Sequence, residues 1–167
     1  MRYFKDFEFS ANGTTIIPIS MGLVCESGAE LYLEFVFDED EVRETNPWVA
    51  RNVLPLLGPA KGRVDFDEAK IQIYNFISVD PRPIFWGYFF DYDWVAFCRL
   101  WGKMGDLPTH FPKWGRDIKQ LFWHLGSPEG VMPPQDKDAH HALVDARWNK
   151  RAFEALKPLA EAKGIVV

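Results

Sequence analysis

The first 25 residues constrain the fold more than any other part of the chain. Tyr3 to Phe9 (YFKDFEF) alternates aromatic and charged residues, the period of a strand whose two faces meet different surroundings. Asn12-Gly13 then supplies a tight hairpin turn, and Thr14 to Cys25 (TTIIPISMGLVC) is a nearly continuous apolar, β-rich run, as in a buried strand. Glu26-Ser27-Gly28 marks the next turn and Leu31 to Phe37 (LYLEFVF) a third strand, which predicts an antiparallel meander. The first strand, flanked by apolar segments, is expected to be central.

That placement bears on Asp6 and Glu8. Two residues apart on a strand, their carboxylates share one face while Phe7 points to the other. Like charges side by side are tolerated in water or around a cation, and a central strand offers little water. The pair is therefore the first candidate for a functional site.

After the meander the pattern becomes helical. Asn46 caps a helix opened by Pro47, running to about Leu57 and stopped by Gly58-Pro59. A second helix fits Asp67 to Ser78, capped by Asp65 or Asp67. Pro83 to Phe90 (PIFWGYFF) reads as a short aromatic strand, and Asp93 to Met104 as a helix. A connection over Gly105 to Gly115 leads to a helix at Asp117 to Leu125, then an irregular loop at Gly126 to Lys137. The last helix runs from about His141 to Ala162, with Val144, Trp148, Ala152, Ala155 and Leu159 as its apolar stripe. A fifth short strand is placed near Phe111 or Gln120. Three strands followed by alternating helices and strands predict an α/β domain with a mixed sheet of about five strands.

The 167 residues, 47% apolar and 16% aromatic, fit one folded domain over the whole chain, 1–167. A net charge of −5 excludes nucleic-acid binding by bulk charge, so any such binding is local and metal-assisted. Arg99, Lys103, Lys113, Arg116 and Lys119, against Asp106 and Asp117, make one local positive stretch. Cys25 and Cys98 both lie in apolar runs and are expected to be reduced, buried thiols. The sequence shows no signal peptide and no membrane span, which points to the cytoplasm.

Further acidic residues fall where sites form. Asp91 and Asp93 follow the aromatic strand, at the end of a sheet strand where ligands gather. Asp145 lies in the first turns of the last helix, with His140 or its neighbour His141 just before it. His140 and Asp145 meet only if the histidine projects from the loop and the aspartate from the helix.

Asp6-Phe-Glu8-Phe, Tyr92-Asp93-Trp-Val-Ala-Phe-Cys and His140-His-Ala-Leu-Val-Asp145-Ala occur here in an order that resembles the DEDD superfamily of 3′-to-5′ exonucleases, in the variant with a histidine. ISMGLV, NPWV and FCRLWG extend the similarity to the small mycobacterial-type 3′-to-5′ exoribonucleases related to ribonuclease T and oligoribonuclease. The likeness spans nearly the whole chain. One departure is that Trp86-Gly-Tyr-Phe-Phe-Asp-Tyr-Asp93 stands where many members carry an Asn-x-x-Phe-Asp run. Asp91 and Asp93 therefore compete, and Asp93 is chosen because the helix pattern follows it directly.

The resemblance implies a ribonuclease H-like fold and a two-metal phosphodiesterase. Asp6, Glu8 and Asp145 would hold one Mg²⁺ or Mn²⁺, and Asp6 with Asp93 a second, both hard cations suited to carboxylates. His140 would accept a proton from the attacking water. The substrate would be RNA, as a 3′ end or a short oligonucleotide, and the product a nucleoside 5′-monophosphate. Phe9 and Trp48 are the candidates for stacking on a terminal base. Many relatives are homodimers. A DNA exonuclease, or a non-catalytic nucleic-acid-binding module of the same fold, would share much of this sequence.

Overall fold

The computed structural model describes residues 1–77, 80–137 and 139–167. Five strands form one sheet in the order β3-β2-β1-β4-β5. They are β1 (Arg2–Ala11), β2 (Ile16–Cys25), β3 (Glu30–Glu34), β4 (Ile84–Gly87) and β5 (Arg116–Asp117). The first three are antiparallel, whereas β4 pairs parallel to both β1 and β5. β1 is thus central, as its sequence neighbours predict.

Helices cover both faces. α1 (Glu39–Thr45) and α2 (Pro47–Asn52) follow the meander; α3 (Phe66–Ile77) and α4 (Asp91–Leu100) flank β4 in sequence; α5 (Ile118–His124) and α6 (Ala142–Ala162) end the chain. Tyr3 and Phe7 of β1 pack with Ile73 of α3 and with Ala96 and Phe97 of α4. Phe4, on the opposite face, packs with Ile118 of α5 and with Ala146, Ala152 and Phe153 of α6. A smaller apolar cluster joins Ile19 to Val42, Val49, Val53 and Leu54. The arrangement is consistent with the ribonuclease H-like fold expected from the resemblance.

Several boundaries move, each for a local reason. β3 stops at Glu34 rather than Phe37 because Phe35 forms a parallel bridge to Val64. β4 ends at Gly87, short of Phe90, where Phe89 adopts a left-handed backbone (φ 54°) and the Phe90 N–H donates to Asp117. Gly87 and Gly115 are required there, since a Cβ on either would lie within 2.2 Å of the Phe90 ring. β5 falls between the two positions expected for a fifth strand. α2 ends at Asn52 and passes into a 3-10 turn at Leu54–Leu56, because Pro55 has no N–H to continue it. α4 starts at Asp91 and stops at Leu100, ahead of Gly102 at φ 99°. Asp65 caps α3, and the expected end of that helix at Ser78 lies outside the described residues. α1 was not expected: it is charged almost throughout, held by the Asp38 cap and the single buried side chain Val42.

The α6 stripe is also corrected. Ala142, Ala146, Asn149, Ala152, Phe153, Leu156 and Ala160 are buried along with Trp148, while Val144 and Ala155 are only half-buried and Leu159 is exposed. Trp148, Phe153 and Leu156 supply the bulk of the buried face, and the alanines between them let the helix backbone approach the sheet. The approach is closest at Gly22 of β2, where a Cβ would lie 2.3 Å from the Ala142 carbonyl oxygen. Among the described residues no helix is long and apolar enough to cross a membrane. Cys25 and Cys98 are free and buried.

Candidate active site

β1 presents Asp6 and Glu8 to α6. Asp6 stands beside Gly22 and Glu8 beside Ser20 in the β1–β2 register. Gly22 leaves room for the first turn of α6 to rest on β2, which brings Asp145 over the pair. The chain enters α6 through His140, whose backbone is left-handed (φ 75°) and whose N–H donates to Asp145 Oδ2 at 2.7 Å. One ligand atom each of Glu8, His140 and Asp145 lie within 4.8 Å of one another, the spacing of a metal-ligand group. A cavity of about 300 Å³ opens beside them, lined in part by Asp6, Tyr88, Gln135, His140, Asp145 and Asn149.

Asp93 reaches the site from the other side of the sheet. β1 pairs with β4 only through Phe4, so the Phe7 N–H beyond that point has no strand partner. Asp93, in the first turn of α4, accepts it through Oδ1 at 2.6 Å. The side chain is 7% exposed. Asp91, the competing aspartate, is exposed.

The electrostatics of the four acids agree with one another. Burial, then the charges of Asp93, Glu8 and Asp145, push the Asp6 carboxyl well above the usual range, against a hydrogen bond from Asn149. Burial, then Asp145 and Asp93, push Glu8 up to about 8. Burial raises Asp93 to about 7, although the Phe7 N–H and Lys5 oppose it, and burial also raises Asp145. Four carboxyl groups that resist ionisation together are an apt set for hard divalent cations, whose charge favours the ionised forms. Among the described residues no cysteine joins the group.

The two stacking candidates are differently placed. Trp48 is 48% exposed and meets His140 edge-on, with ring centroids 4.8 Å apart. Phe9 is half-buried and stacks on Tyr92 at 5.6 Å. His141, the alternative histidine, stacks on Tyr32 at 4.5 Å and lies outside the metal-ligand group.

Two residues near the site were not singled out from the sequence. Asn149 is buried, donates to the Lys5 carbonyl at 3.0 Å and hydrogen-bonds Asp6. Its spacing of four from Asp145, on one helix face, was the available signal. Lys5 is fully buried behind β1, and its Nζ has no hydrogen-bond partner. It lies among the rings of Phe7, Phe85, Phe90, Trp94 and Phe97, the last at 3.5 Å. Burial holds its ammonium well below the usual lysine range, although Asp93 and Cys98 favour the charged form.

No protein-family model matches the chain. Two curated proteins do, each named a 3′-5′ exoribonuclease, from Mycobacterium tuberculosis strains CDC 1551 and H37Rv. Each is 37% identical over 166 residues, covering 97% of this chain and 96% of the relative. Identity at that level over nearly both full lengths makes the chain an enzyme of the mycobacterial 3′-5′ exoribonuclease family.

Proposed function

We propose that this protein is a metal-dependent 3′-to-5′ exoribonuclease of the histidine-bearing DEDD type, formed by one domain over residues 1–167 and acting in the cytoplasm. The observation that carries the reading is the convergence of Glu8, His140 and Asp145 beside Asp6, on elements far apart in sequence. Asp6, Glu8 and Asp145 would hold one Mg²⁺ or Mn²⁺, and Asp6 and Asp93 a second. When bound, the ions supply positive charge to the attacking and leaving oxygens of the phosphodiester and favour hydroxide over water.

The protein's own groups do the rest. The Phe7 N–H donates to Asp93 Oδ1 and so orients the carboxylate, which would act on the second ion directly or through a water. Asn149 fixes Asp6 by its hydrogen bond. His140, at the mouth of the cavity, accepts the proton of the attacking water. Trp48, packed edge-on against that imidazole, limits its rotation and offers its exposed edge to a terminal base. Phe9, backed by Tyr92, borders the metal pair as the second base contact. The products are a nucleoside 5′-monophosphate and an RNA one nucleotide shorter.

The test is a 5′-labelled RNA incubated with Mn²⁺ or Mg²⁺ and sampled over time, beside a DNA of the same sequence. A ladder shrinking by single nucleotides from the 3′ end, faster on RNA, is expected. An undiminished rate in excess EDTA would rule out the metal mechanism. Equal rates on DNA would rule out the preference for RNA, which depends on recognition of the 2′-hydroxyl.

A further inference from the structure

The positive stretch that begins at Arg99 has no role in the chemistry above, yet its first residue shares helix α4 with Asp93. Tyr92, Val95 and Arg99 occupy one face of α4 at spacings of three and four. Tyr92 is 57% exposed and Val95 54%, an apolar display that the core does not use. The face looks onto a cavity of about 330 Å³ under the β1–β2 hairpin, lined also by Gly13, Thr15 and Ile16. A second cavity, of about 400 Å³, adjoins it and is lined by Cys98, Lys103 and Met104 among others. The two share Val95 and Arg99, so they form one groove along the helix. Its near end is the Phe9–Tyr92 stack, one residue from Asp93 and from Glu8.

The groove carries charge of one sign at its middle and far end. The Arg99 guanidinium donates one Nη1 bond to the Thr15 hydroxyl and is otherwise open. Lys103 is 77% exposed and lies 3.9 Å from Asp106, an exposed pairing that restrains it weakly. Glu41, which accepts from Asn12 at the hairpin, is the other nearby acid. An exposed ring, an aliphatic floor and spaced cations are what a single strand of nucleic acid recognises, since bases stack and phosphates pair without regard to sequence. Tyr92 to Arg99 spans about 10 Å of helix.

We infer that this groove is the track for the RNA strand upstream of the scissile phosphate, with Tyr92 under a base and Arg99, then Lys103, on successive phosphates. The inference rests on the exoribonuclease reading for its occupant. It makes the enzyme length-sensitive: a dinucleotide fills the metal site alone, while a longer RNA also fills the groove.

The experiment compares Arg99→Gln, Lys103→Gln and Val95→Glu with the unaltered protein on a dinucleotide and a decaribonucleotide. All three positions are exposed, so folding is preserved, with circular dichroism as the control. Each cation removed is expected to weaken kcat/KM for the decamer roughly three- to fivefold, leaving the dinucleotide rate unchanged. The slope of log binding against log salt should fall by about 0.7 per cation. Val95→Glu should be selective for the decamer in the same way. Equal effects on both lengths, or none on either, overturn the proposal. Fluorescence anisotropy of a labelled decamer in EDTA separates it from the catalytic reading. Binding that is tighter than for the dinucleotide and weakened roughly three- to fivefold in Arg99→Gln supports the groove even if no hydrolysis occurs, and decamer binding no tighter than the dinucleotide overturns it.

Discussion

One strand, β1, carries two buried charge arrangements on opposite faces, and they are solved in opposite ways. Toward α6, Asp6 lines an open cavity and Glu8 meets His140 and Asp145 at metal-ligand spacing. Toward α4, Lys5 is enclosed by five aromatic rings, with no hydrogen-bond partner and no opening. Both faces carry groups that folding alone would not favour. Only the acidic face has somewhere for a ligand to come from. On the proposed function, the difference separates a charge retained for chemistry from one tolerated by its surroundings.

The sharpest way to break the comparison is Asp145→Asn. If the acidic face exists for catalysis, RNA hydrolysis should fall by roughly 10³-fold or more, the scale of losing a group that acts in the transition state. Thermal unfolding in EDTA should move upward, because one of four mutually repelling carboxyls is gone. An active variant would sink the assignment of Asp145.

Next comes the support of that face. Gly22→Ala puts a methyl group 2.3 Å from the Ala142 carbonyl oxygen and 2.5 Å from the Leu143 Cα. Urea titration should show a loss of roughly 1–3 kcal/mol. Isothermal titration with Mn²⁺ should show weaker binding as the α6 turn carrying Asp145 is lifted. Unchanged stability would mean that α6 does not rest on β2 so closely.

For the closed face the expectation reverses. Lys5→Met replaces a buried amine that has no hydrogen-bond partner by an apolar chain of similar length, and should stabilise the fold by roughly 1–3 kcal/mol. RNA hydrolysis should be retained. Destabilisation, or lost activity, would show that the ammonium holds Asp93 and that the two faces are one unit.

The last test is the pH dependence without metal. Folding raises Asp93 from 3.8 to about 7 and Glu8 from 4.5 to about 8. Between those limits the folded protein binds more protons than the unfolded chain, so stability falls as pH rises. Unfolding temperatures in EDTA should therefore decline from about pH 5 to about pH 8, and Mn²⁺ should flatten the decline. Lys5, with its value lowered, acts in the opposite sense below the ordinary lysine range. The Lys5→Met background should consequently show the steeper slope.

What could be read from the chain follows the same division. Asp6 and Glu8 were legible because a strand has period two and the apolar run beside them made it central. Asp145 and His140 were legible only as a short block in a familiar order. Their meeting depends on a left-handed backbone at His140 that no local pattern announces. Lys5 looked like an ordinary polar residue in an alternating strand, since alternation shows that two faces differ and not which of them is wet. α1 lacked apolar periodicity because it buries one residue. The α6 stripe was misplaced because Val144, Ala155 and Leu159 also recur at helical spacing, while the buried face runs through Ala146, Asn149, Phe153, Leu156 and Ala160 and includes a polar residue.

The bond from the His140 N–H to Asp145 Oδ2 has a consequence of its own. The last helix has no side-chain cap from His141, and Asp145 reaches back to the amide just outside its first turn. A single carboxylate thus starts the helix with one oxygen and, on the proposed function, offers the other to a cation. Anything that draws that first oxygen toward the cation loosens the beginning of α6 and with it the histidine. Hydrogen exchange at the His140 amide should therefore register occupancy of the site, making one backbone proton a gauge of whether the enzyme is loaded.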